Sequence, residues 1–92
     1  MNTIDQVLEL MRSGILPESL WLRPECVEVW YPTGEVISLV LPITVDDRRH
    51  LAAVLAKIAV TCGWETNPRK AMRDIMHVPR DHDGPFYPAS FG

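Results

Sequence analysis

The sequence predicts a small α+β domain with elements in the order α-β-β-α-α, an antiparallel hairpin packed against helices. Three observations predict it. Two runs rich in Val, Ile, Leu, Trp and Tyr, at 26–31 and 35–41, flank Pro32, Thr33 and Gly34, the signature of paired strands about a tight turn. Apolar residues recur at helical spacing on both sides of them. The whole chain is 92 residues, just below the roughly 100–200 residues typical of one domain, which excludes a second core. With 47% hydrophobic and 23% charged residues and a mean hydropathy near zero, the composition fits a folded globular chain and neither a disordered tail nor a membrane span.

Thr3 and Gln6 stand at capping-box spacing, with Asp5 in the first turn, Arg12 in the last and Gly14 beyond. They bound a helix over about 4–13. Its stripe is Ile4, Val7, Leu8 and Met11, and three turns need that stripe buried to persist in water. From Ile15 to Pro24 the chain is a connector whose apolar residues dip into the core between Pro17 and Pro24. In the hairpin, Pro32 suits the first central position of a type I turn and Gly34 the left-handed position that follows, giving a one-residue bulge. Pairing Tyr31 with Glu35 then sets Val29 opposite Ile37 and Val27 opposite Leu39, one apolar face continued by Leu41. Cys26, Glu28, Trp30, Val36, Ser38 and Val40 share the other face, which carries too much apolar area to be fully wetted.

Thr44, with Asp46 and Asp47 after it and Gly63 at the far end, delimits the longest helix, about 45–61. Leu51, Val54, Leu55, Ile58 and Cys62 form its apolar side, while Ala52, Ala53, Ala56 and Ala59 allow close approach. Asn67 as cap and Pro68 as first helical residue start another helix, about 68–77, that buries Ala71, Met72, Ile75 and Met76 before Pro79 stops it. One domain is therefore expected over 1–78. Residues 79–92, with Gly84, Pro85, Pro88, Phe86, Tyr87 and Phe91, show no periodicity and are expected to form a tail.

The net charge of −3 conceals a polarised chain. Residues 1–44 set Arg12 and Arg23 against six carboxylates, a net −4, and residues 48–80 set seven Lys and Arg against Glu65 and Asp74, a net +5. The total argues against a uniformly basic nucleic-acid binder, while the asymmetry, across about 25 Å, can orient a charged partner.

Cys26 and Cys62 are too few and too far apart for a disulfide framework, and neither has a second Cys at metal-ligand spacing. The N-terminal stretch lacks the basic start and unbroken apolar run of a signal peptide, and no stretch approaches the roughly 18 apolar residues of a bilayer span, so a cytoplasmic location is expected. His77, Asp81, His82 and Asp83 fall within seven residues but match no standard zinc spacing, and no metal or other cofactor is expected. Cys62 lies at the helix end that disfavours a thiolate, and no nucleophile with a base, carboxylate pair or glycine-rich phosphate loop is present, so no catalytic residue is assigned.

Within Leu55–Val78, Ile58 and Ala59, Cys62, Gly63 four residues after Ala59, and a following helix with Arg69, Lys70 and Arg73 resemble the helix-turn-helix DNA-binding motif. Arg69 departs from the pattern, standing where that family places an apolar residue, and Trp64 with Glu65 makes the turn bulky and partly acidic. The resemblance implies that Arg69, Lys70 and Arg73 would face phosphates or guanine edges in a major groove. The leading expectation is different. A two-stranded ribbon leaves Trp30, Val36 and Val40 to be covered by the first helix, by the tail from Phe86 to Phe91, or by another chain. Trp and Tyr dominate interface energies. Trp30, Tyr31, Val36, Val40, Phe86 and Tyr87 are therefore the expected contact residues of a non-enzymatic module, a small regulator or inhibitor that binds a protein partner or a second copy of itself, with no membrane role. Size and polarity alone, with no residue in support, set it beside phage and mobile-element accessory proteins such as anti-CRISPRs.

Overall fold

The computed structural model describes residues 3–42 and 44–88. The elements are α1 (Thr3–Arg12), β1 (Ser19–Leu22), β2 (Cys26–Trp30), β3 (Val36–Val40), α2 (Val45–Thr61), α3 (Pro68–Met76) and β4 (Gly84–Tyr87). The fold is α+β, with one antiparallel sheet in the order β3-β2-β1-β4. Both helix–helix and helix–sheet packing converge on a single buried cluster that draws on α1, all four strands, α2 and α3.

The β2–β3 hairpin has the expected register, Val27 opposite Leu39 and Val29 opposite Ile37. Gly34, at φ 91°, takes the left-handed position, and the Tyr31 N–H donates to the Glu35 carbonyl oxygen at 2.9 Å, closing the bulged turn. Two segments differ from expectation. Ser19–Leu22, within the predicted connector, is a central strand: Leu20 and Leu22 are buried and alternate with half-buried Ser19 and Trp21. The N–H of Arg23 donates to the Cys26 carbonyl oxygen at 2.9 Å, so Pro24 and Glu25 form a tight turn and Pro24 sits where no ladder hydrogen bond is lost. Gly84–Tyr87, placed in the tail, pairs with the other side of β1. Pro85 is tolerated because β4 is a sheet edge. Leu20 opposes Tyr87 and Trp21 opposes Pro85, which leaves Phe86 as the extra residue of a bulge. Phe91 lies outside the described residues.

α2 and α3 keep the predicted N-caps. Thr44 Oγ1 accepts from the Asp47 N–H at 3.2 Å, and Asn67 Oδ1 accepts from the N–H groups of Arg69 and Lys70 at 3.0 and 3.4 Å. α1 begins at Thr3 itself, and the capping side chain expected there lies outside the described side chains. α1 and α2 end alike: beyond α2, Gly63 donates to the Val60 oxygen and Trp64 to the Ala59 oxygen, and beyond α1, Gly14 donates to Met11 and Ile15 to Leu10. This is the bond pattern of a Schellman cap. α2 buries Leu51, Ala52, Val54, Leu55, Ala56, Ile58 and Ala59. Of the residues expected to be buried by α3, Ala71 is buried, Met72 and Ile75 are half-buried and Met76 is 44% exposed. α1 runs beside β3 and contributes Val7, which is fully buried.

Candidate functional site

The sheet's alternation gives it two unlike faces. Leu20, Leu22, Val27, Val29, Ile37 and Leu39 point to the helices and are buried. Ser19, Trp21, Cys26, Glu28, Trp30, Val36, Ser38 and Val40 point the other way and are half-buried or exposed. On this open face, the β1–β2 register places Trp21 diagonally from Trp30, beside Glu28 and Ser19. The two indoles stack with centroids 5.0 Å apart, and the Arg23 guanidinium lies 4.9 Å over the Trp21 ring. A ladder of cation, indole and indole results, held by dispersion and by the attraction of a cation to an aromatic face.

Polar side chains lock the ladder. Glu28 Oε1 accepts from Trp30 Nε1 at 3.2 Å and from Arg23 Nε at 3.1 Å, Arg23 Nη1 donates to Asp83 Oδ1 at 2.6 Å, and Trp21 Nε1 donates to Ser19 Oγ at 3.3 Å. The two carboxylates raise the Arg23 pKa, Asp83 most strongly. The Cys26 thiol is pushed up first by burial and then by the charge of Glu28, with Glu25 and Asp83 adding and Arg23 opposing. The surroundings of Cys26 thus hold three carboxylates and one guanidinium, an anionic setting. Burial also raises the pKa of Cys62, whose Sγ donates to the Pro17 oxygen at 3.8 Å. Both thiols therefore favour the protonated, weakly nucleophilic form.

Of the six expected contact residues, Trp30, Val36 at 39% exposure and Val40 at 81% share the open face. The structure places Tyr31 and Tyr87, each 2% exposed, in the core cluster, and Phe86 packs against that cluster, edge-on to Tyr87 with centroids 4.8 Å apart. Phe86 and Tyr87, the start of the tail offered as a cover, belong to a strand that extends the sheet sideways instead. Trp21 and Arg23 were missed; the alternation of Leu20, Trp21 and Leu22 was their signal.

The basic residues of α3 divide. Lys70 Nζ lies 2.9 Å from Asp74 Oδ2 and 3.2 Å from Glu65 Oε2, while Arg69 and Arg73 are exposed. The four residues weighed as metal ligands go separate ways: His77 Nδ1 lies 3.0 Å from the Arg73 oxygen, Asp83 binds Arg23, Asp81 is exposed and His82 stands edge-on to Phe86. Among the described residues no three His, Cys, Asp or Glu side chains converge in a metal-binding arrangement, and no helix is long and apolar enough to cross a membrane. Comparison with protein-family models, with curated proteins and with solved structures finds no match.

Proposed function

We propose that this chain is a protein-interaction module, a small regulator or inhibitor that occupies a site on a larger protein through the open face of its sheet. The observation that carries this reading is the Trp21–Trp30 stack beside exposed Val36 and Val40. Rigid indoles at the centre of an exposed apolar face bury a large area at little entropic cost, as interface anchors do. The carboxylates of Glu25, Glu28 and Asp83 outweigh Arg23 around that face. Two copies placed face to face would set like charges together, so the partner that fits carries an apolar centre with a basic rim.

The test is retention on the immobilised chain, wild type against Trp21→Ala with Trp30→Ala, in low and high salt. A protein retained by the wild type and lost by the variant supports the reading; retention that ignores both substitutions refutes it. A second reading, DNA binding through α3, draws on exposed Arg69 and Arg73, with Lys70 already committed to Asp74 and Glu65. It requires a duplex shift that weakens steeply with salt and vanishes in Arg69→Ala with Arg73→Ala.

A further inference from the structure

On the far side of the sheet from the stacked indoles, the helix layer does not close. A cavity of about 360 Å³ opens between the first turns of α2, the end of α3, the link from Val78 to His82 and the β1–β2 turn. Leu22, Val27, Leu51 and Leu55, all buried, are among its walls, with Ile75 and Val78 half-buried beside them. The polar lining has one sign. Arg23, Arg48, Arg80 and His82 line the cavity, and no carboxylate does so among the described residues. Arg23 is committed to Glu28 and Asp83. Among the described residues Arg48 engages only its Nε, on the Pro42 oxygen at 3.0 Å; Arg80 is exposed. His82 Nε2 is enclosed and has no hydrogen-bond partner among the described residues, so the head-group donors that the lining offers are Arg48 and Arg80.

From this we infer a binding site for a small amphiphile, a monocarboxylate with an aliphatic body. The body takes the place of water against the apolar walls, and the carboxylate takes its hydrogen bonds from Arg48 and Arg80. The volume lies at the lower end for small-molecule pockets, and at roughly 30 Å³ per water-sized group it holds about a dozen non-hydrogen atoms. Octanoate, with its eight-carbon chain, fits that limit.

The cavity shares Arg23 with the indole ladder, while its head-group donors Arg48 and Arg80 lie off that ladder; its test uses the whole chain and octanoate, followed by calorimetry and by amide chemical shifts. Octanoate is expected to bind saturably, with shifts confined to the residues around the cavity: α2, the end of α3, the 78–82 link, the stretch from Leu22 to Val27, and Leu41. It should bind about tenfold more tightly than octylammonium, because charge-assisted hydrogen bonds to the head group separate the two. Arg80→Glu should weaken octanoate at least about fivefold, as should Arg48→Gln, while Arg69→Glu, outside the cavity, leaves it unchanged. Equal affinity for octanoate and octylammonium, shifts elsewhere on the chain, or no saturation by about 10 mM would overturn the assignment.

Discussion

The two faces of one sheet are made from the same strands, often from adjacent residues, and do opposite things. Val29 is fully buried beneath the helices, and its neighbour Trp30 stacks on Trp21 in the open. On the closed face, aliphatic side chains meet α1 and α2 and supply the hydrophobic driving force for folding. On the open face, the area is aromatic, ordered by Glu28 and Arg23, and leaves Val36 and Val40 exposed. A sheet that needed its second face only for solubility would carry polar residues there. Stability resides on the closed side, and the recognition we propose belongs to the other.

Substitution on the two faces should separate these roles. Leu20→Ala, on the closed face, is expected to lower stability by about 2–5 kcal/mol, a large share of the roughly 5–14 kcal/mol typical of a domain this size, as urea denaturation would show. Trp21→Ala with Trp30→Ala is expected to cost about 2 kcal/mol of stability or less, since the stack contributes about 1 kcal/mol, yet to weaken partner binding at least about thirtyfold. A loss of stability equal to that of Leu20→Ala would erase the distinction between the faces.

Acid sharpens the comparison from the helical side. Glu65 has its pKa lowered by the Asn67 N–H and then by Lys70, and Asp74 by Lys70. Their stabilisation is therefore present above the carboxylates' unfolded values, near pH 4, and is lost as pH falls through the lower folded ones. Protection of the α3 amides against exchange, taken relative to the intrinsic rate at each pH, should fall between about pH 5 and 3 more in the wild type than in Lys70→Met. The smallest effect on folding is expected from Val40→Lys, within about 0.5 kcal/mol by thermal unfolding, although the added cation should weaken binding to a basic-rimmed partner.

Much of this architecture was legible from local chemistry. The β2–β3 register followed from Pro32, Thr33 and Gly34, and α2 and α3 from Thr44, Asn67, Pro68 and Gly63, because caps and tight turns are set by neighbours in sequence. β1 and β4 were hidden for the complementary reason. Each is four residues long; β1 lies between Pro17 and Pro24, which hid the short hairpin it makes with β2, and β4 contains Pro85 and exists as a strand through pairing with β1, distant in sequence. Trp21 was lost along with its strand. Tyr31 had been grouped with Trp30 by residue type, although it shares the parity of Val27 and Val29 and so turns to the core. The burial of Tyr87 depends on the bulge at Phe86, which no local pattern announces.

The division between the faces is tested most directly by site-specific photo-crosslinking of the whole chain in the cells that make it, with the reactive side chain placed at Ser38 on the open face or at Arg73 on α3. A protein adduct is expected from Ser38 that disappears when Trp21→Ala and Trp30→Ala are added, and none from Arg73. An adduct from Arg73 alone, to protein or to DNA, would contradict that division.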